Sequence, residues 1–164
     1  MNKATEADWE GWLRVLEDPE SRKAQKVLEE CGEGSPRCCL GHLCSISPEV
    51  ERVVPLEEEE TTDRVTYKSI SPPENSEQMQ LPKVLAKKFG ITPIGDFNRT
   101  YSDEEVADIV GVDPGLLWHH DYEDLAELND NSELSLPHIA AFIRHLRWHE
   151  GFRPWESWVE RDGV

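Results

Sequence analysis

The chain predicts a mainly α-helical fold. We expect one compact domain over residues 1–164, with an acidic, proline-containing insertion or loop at 47–80. At most a small central strand or hairpin would make it α+β. Three observations point there. Apolar residues recur at three- and four-residue spacing towards both ends, capping boxes open two segments, and one β-branched stretch lacking that spacing sits mid-chain. At 164 residues, a core can form without a disulfide or metal staple.

Thr5-Glu6-Ala7-Asp8 is a capping box, and Trp9, Trp12, Leu13 and Leu16 follow at i, i+3, i+4, i+7. Asp18-Pro19 ends this first helix. Asp18 or Ser21 caps an expected second helix carrying Ala24, Val27, Leu28 and Cys31, closed by Gly32 or Gly34. After Ser35-Pro36 comes Arg37-Cys38-Cys39-Leu40-Gly41-His42-Leu43-Cys44-Ser45-Ile46. As a helix it buries Cys39, Leu40, Leu43, Cys44 and Ile46, and its small residues let a neighbouring backbone approach Gly41 closely.

Residues 47–80 hold Pro48, Pro55, Pro72, Pro73 and the run Glu57-Glu58-Glu59-Glu60, which reads as solvated loop. Within them, Arg64–Ile70 has the composition of a short strand or hairpin arm. Leu81–Gly90 predicts a helix with Pro82 in its first turn and Gly90 at its end. Ser102-Asp103-Glu104-Glu105 opens a helix with Val106, Ile109 and Val110 inward, stopped by Gly111. Val112–Gly115 is a turn, Leu116-Leu117-Trp118 starts a short helix, and Asp121 caps a segment with Tyr122, Leu125 and Leu128 on one side. Ser135-Leu136-Pro137 begins the strongest helix, with Ile139, Phe142, Ile143 and Leu146 inward. Tryptophans near both ends suggest that both ends pack into the body.

The formal charge of −17 comes from 34 acidic against 17 basic residues and argues against direct binding to nucleic acid or anionic membrane. No apolar run approaches the roughly 18 residues of a membrane span, and the N-terminal residues lack the apolar core of a signal peptide. A cytoplasmic protein with reduced cysteines is therefore expected.

Cys31, Cys38, His42 and Cys44, with Cys39, have the atoms of a zinc site, but no C-x2-C pair is present. A reduced buried cluster fits better, with zinc and a redox thiol as alternatives; no other cofactor is expected. His138, His145 and His149 fall within about 20° of one line on a helix. His145 and His149, at i, i+4, have chelating spacing without the H-E-x-x-H glutamate. That stripe borders the apolar face, so an interface-flanking place is the plainer reading. His119-His120-Asp121 fits a helix end better than an acid–base trio. Glu104–Trp118 has a helix-turn-helix rhythm, yet no Lys or Arg occurs from Ser102 to Ile143, so it has no phosphate-reading cations. No nucleophile elbow, P-loop or dinucleotide fingerprint supports an enzyme.

Two features suggest binding. Carboxylates such as Glu57, Glu58, Glu59 and Glu60 can imitate a phosphate backbone and occupy a partner's groove, although acidity also serves plain solubility. Arg22, Lys23, Gln25, Lys26 and Arg37, with the Asn129-Asp130 turn, could instead surround a small anion.

The order of Lys23-Ala24-Gln25, Cys38-Cys39-Leu40-Gly41-His42-Leu43-Cys44, Leu81-Pro82 with Val84, Leu128-Asn129-Asp130, and Ser135 with Ile139-Ala140 and Phe142-Ile143 resembles small uncharacterised proteins of bacteriophages and prophages. The resemblance runs discontinuously from about residue 22 to 146. It departs at Leu136-Pro137, at the apparent insertions 47–80 and 92–118, and in the aromatic tail. It implies a phage accessory protein acting in the host bacterial cytoplasm, and no catalytic residue. The leading expectation is a non-enzymatic accessory protein that binds a bacterial host protein, such as a defence component or nucleic-acid-handling protein. A binder of a small anionic ligand, such as a nucleotide signal, is the alternative; a zinc- or cysteine-dependent enzyme is the weaker one.

Overall fold

The computed structural model describes residues 3–24, 27–30, 36–53, 64–70, 73–75, 80–117 and 121–162. The fold is a mixed α+β one, which corrects the mainly α expectation: two small antiparallel sheets accompany the helices. In chain order the elements are α1 (Glu6–Glu17), β1 (Glu29–Glu30), α2 (Cys39–Ser45), β2 (Val50–Val53), β3 (Arg64–Ile70), β4 (Pro73–Asn75) and α3 (Lys83–Phe89). There follow β5 (Asp96–Ser102), α4 (Asp103–Val110), a 3-10 turn (Pro114–Leu116), β6 (Asp121–Asp124), α5 (Leu125–Asn129), α6 (Leu136–His145), a π-turn (Leu146–Glu150) and α7 (Trp155–Asp162).

β3 is the centre of the larger sheet. β2 pairs with it from Val50↔Ser69 to Val53↔Thr66, while β1 and β4 pair with its two ends. Val65, Tyr67 and Ser69 are buried at alternate positions, the period-two pattern of a strand with one covered face. The span read as an insertion thus contributes three strands, whereas Glu57–Glu60 lies outside the described residues.

The second sheet pairs β5 with β6. A register irregularity between Asp96 and Tyr101 breaks the alternation, leaving Phe97 and Tyr101 as the buried residues of β5. Four-residue spacing of aromatics does not read as a strand, which is why this element was not expected.

The expected second helix is absent over 21–24 and 27–30. Backbone groups there bond across the chain: Ala24 N–H to the Arg37 carbonyl, Arg37 N–H to that of Arg22, and Cys38 N–H to that of Leu28. Ala24, Val27 and Leu28 are buried as expected, but in irregular, non-helical backbone that bends at Val27 and Leu28. Similarly, Leu117 is extended after the 3-10 turn, and Asp124 rather than Asp121 caps the helix bearing Leu125 and Leu128.

The other helices follow their sequence signals. Thr5/Asp8 and Ser102/Glu105 form reciprocal capping boxes, and Gly90 closes α3 in the left-handed region. α1 packs Trp9, Trp12, Leu13 and Leu16 into one core with α2 and α6. Trp12 also donates its indole N–H to the Cys39 carbonyl at 2.8 Å. Phe152 stacks on Trp9, so the C-terminal segment meets the N-terminal helix. Ile46 departs from its expected burial and is 42% exposed.

Candidate functional site

Three separated motifs meet at one buried junction. Asn129, at the end of α5 and fully buried, accepts from Cys39 N–H at 2.9 Å and donates to the Ala24 carbonyl at 2.7 Å. Lys23 Nζ donates to the carbonyl of Asn131 at 2.7 Å and also to that of Leu134. His42 donates from Nε2 to the Arg22 carbonyl at 2.9 Å. The Lys23-Ala24, Cys38–His42 and Leu128-Asn129-Asp130 segments are therefore held together through backbone groups that would otherwise lack partners.

The structure therefore brings together Arg22, Lys23, Arg37, Asn129 and Asp130, while Gln25 and Lys26 lie outside the described residues. The roles of these side chains are largely internal. Lys23 is clamped on carbonyls, and its burial lowers the ammonium pKa. Arg37 donates to Glu29 at 2.7 Å. Arg22 is exposed.

The thiols are equally enclosed. Cys38 caps α2, its Sγ accepting from Gly41 N–H at 3.3 Å, and burial pushes its thiol up to about 12. Burial likewise raises the Cys39 and Cys44 thiols. A thiolate is the nucleophile and the metal ligand, so this environment disfavours both chemistries. His42 is buried with Nε2 committed, and its pKa is lowered by burial. Cys31 lies outside the described residues. Among the described residues, no group of three or more His, Cys, Asp or Glu side chains is arranged to hold a metal ion.

Beside the junction, β1 carries a fully buried carboxylate. Glu29 accepts from Arg37 at 2.7 Å, from Arg52 Nε at 2.5 Å and from the Tyr67 hydroxyl at 2.5 Å. Burial alone would raise the Glu29 carboxyl, but the bonds from Arg52, Tyr67 and Arg37 outweigh it and hold the carboxyl below its usual range. Burial, then the bond to Glu29, pushes the Tyr67 phenol up. This cluster ties β1, β2 and β3 to the strand-like segment before α2.

Outside the core, the unusual feature is charge. From Ser102 to Ile143 the chain carries eleven carboxylates and no Lys or Arg. They lie along α4, the 3-10 turn, β6, α5 and the loop before α6, with Glu104, Asp108, Asp113, Asp121, Glu123 and Glu133 exposed. Sequence reasoning used this span only to reject DNA binding. The lack of basic residues was the signal that could have marked it as an interaction surface, since the Glu57–Glu60 run drew attention first.

A groove of about 300 Å³ lies where α1, α2 and α3 meet, lined by Gly11, Leu43, Ile46 and Phe89. Lys88 at its rim is held by Glu49 at 2.6 Å and Asp8 at 3.8 Å, so its charge is already met. No helix among the described residues is long and apolar enough to cross a membrane. No protein-family model matches the chain, and neither a curated protein nor a solved structure does.

Proposed function

We propose that this is a non-enzymatic accessory protein of phage type, acting in the bacterial cytoplasm. Its acidic surface docks on the basic, nucleic-acid-binding surface of a host protein, such as a defence component or nucleic-acid-handling enzyme. The observation that carries this reading is the stretch Ser102–Ile143, which bears eleven carboxylates, six of them exposed, and no Lys or Arg, although Arg99 from outside it pairs with Glu105. Such a field steers association with a basic partner and repels nucleic acid itself. The small-anion alternative is less favoured, because Lys23 and Arg37 spend their charges on interior carbonyls and on Glu29. A cysteine-dependent enzyme is disfavoured by the buried, raised thiols.

The test is affinity capture from bacterial lysate with mass spectrometry, using the wild-type chain beside a Glu104→Gln/Asp108→Asn/Glu123→Gln variant. The expected result is a basic host protein that is retained at low salt, released by roughly 0.5 M salt, and absent from the variant. Equal capture by both baits, or an empty wild-type bait at low salt, would overturn the reading.

A further inference from the structure

The junction of α6 with the π-turn holds a second pair of reactive groups. α6 ends at His145, and the next five residues, Leu146–Glu150, wind as a π-turn closed by Gly151 N–H on the Leu146 carbonyl. Such widened turns are rare in helices and are frequently found at functional sites. Here the turn keeps Leu146 buried while Trp148, His149 and Glu150 face solvent. It also brings the imidazoles of His145 and His149 side by side, with ring centroids 4.7 Å apart and planes tilted by 35°.

We propose that His145 and His149 form a two-imidazole chelate for a borderline divalent cation, of the class Zn2+, Ni2+ or Cu2+, on the exposed side of the π-turn. This inference does not rest on the host-protein reading above.

The other described histidines have ring nitrogens committed: His42 Nε2 to the Arg22 carbonyl and His138 Nδ1 to the Ser135 cap. Neither His145 nor His149 has a hydrogen bond or ion pair with another described residue, so their ring nitrogens are available as donors. Imidazole nitrogen suits these ions. The charge of Arg99 bears on His145, but it is offset by two carboxylates. Arg99 pairs with Glu105 at 2.6 Å and with Glu150 at 3.2 Å. Glu150 is also held by Tyr101, which leaves two imidazoles as the protein's ligands and water for the other positions. The charge of −17 favours any cation in general, but only the nitrogen pair selects a borderline ion over Mg2+.

The full-length chain is titrated with Ni2+, Zn2+ and Mg2+ by calorimetry at pH 7.5, while the histidine ring protons are followed by NMR. One Ni2+ or Zn2+ is expected per chain, with the His145 and His149 ring signals shifting and Mg2+ leaving them unmoved. His149→Gln and His145→Asn are each expected to weaken binding about 100-fold, because the second imidazole acts at high effective concentration. His138→Ala should bind like the wild type. No heat at millimolar Ni2+ and Zn2+, or unchanged binding in His149→Gln, would overturn the proposal. His149 is exposed, so that variant is decisive even if His145→Asn perturbs folding.

Discussion

A Cβ atom at Gly41 would lie 1.9 Å from the carbonyl oxygen of Leu28. The obstacle is backbone rather than a flexible side chain, so α2 sits against the preceding segment at a distance that only hydrogen permits. Cys38 N–H bonds to that same Leu28 carbonyl, which fixes the approach. Gly41→Ala is therefore expected to cost about 3 kcal/mol or more, read from the urea midpoint at constant slope. A loss under about 1 kcal/mol would mean that the two segments separate easily.

Asn129 gives a second measure of the same junction. Asn129→Ala leaves the Cys39 N–H and the Ala24 carbonyl without their side-chain partner, and a cavity beside them. The expected loss is about 2–4 kcal/mol by chemical denaturation. The neighbouring exposed Ser132→Ala should change stability by less than about 0.5 kcal/mol.

Two carboxyls act in opposite directions as pH changes. Burial, with the nearby charges of Glu127, Asp96 and Glu123, raises Asp124 to about 6 from its ordinary 3.8, despite the Glu127 N–H bond it accepts. The folded state binds the extra proton between those values, so stability falls as pH rises from about 4 to 6 and stays reduced above. Asp124→Asn keeps a capping oxygen and removes the charge. It is expected to stabilise the fold by about 1–2 kcal/mol at pH 7.5, allowing for solvent screening, with the gain fading by pH 4.

Glu29 has the reverse sign. Its folded carboxyl is depressed below 4.5, so its contribution is present above that value and is lost as pH falls through the folded one. Glu29→Gln should cost about 1–3 kcal/mol at pH 7, because the buried Tyr67 hydroxyl and the partly buried Arg37 lose a charged acceptor, while the exposed Arg52 can turn to water. The Asp124→Asn gain should fade between about pH 6 and pH 4, whereas the Glu29→Gln loss should shrink only as pH falls below 4.5, both read as differences from wild type in denaturation curves across pH. A Glu29→Gln loss that is already smaller at about pH 6 than at about pH 7.5 would contradict this assignment.

The cysteines supply a direct chemical check. In a Cys31→Ser background, native protein at pH 8 is expected to leave Cys38, Cys39 and Cys44 unmodified by an aromatic disulfide reagent, whereas urea-unfolded protein reacts at all three. Rapid reaction of any one in the folded state would restore the thiol-chemistry reading.

Legibility in the sequence tracked how local the determining physics is. α1, α4 and α6 announce themselves by an N-cap hydroxyl and apolar spacing, and α3 and α4 by a terminal glycine, all within about a dozen residues. β1 and β6 are two and four residues long, and β5 is interrupted by its register shift, so no window carries their period. The expected helix over Ala24, Val27 and Leu28 failed for a related reason. The apolar residues were correctly placed inside, but Arg37 and Asn129, outside any helical window, supply partners for the backbone groups of Arg22 and Ala24 in place of helical ones.

The candidate groups divide in the same way. The residue types of Lys23, Arg37 and the Asn129-Asp130 turn suggested only an anion pocket; that Asn129 joins the cysteine segment to Ala24 was not legible. Nor was it legible that Lys23 and Arg37 are consumed internally, since neither the Leu134 carbonyl nor Glu29 is marked by any motif. The proximity of His145 to His149 was foreshadowed by their four-residue spacing, but the π-turn between them was not.

By itself, the sequence determined the acidity, the capped amphipathic helices, the apolar positions and the need for a small residue at Gly41, because each depends on residue chemistry or on neighbours a turn or two away. Only the tertiary structure decided which strands form, which charges are buried and which remain outside. Burial and backbone pairing are settled by whichever remote segment arrives to exclude water, and that arrival leaves no local mark in the chain.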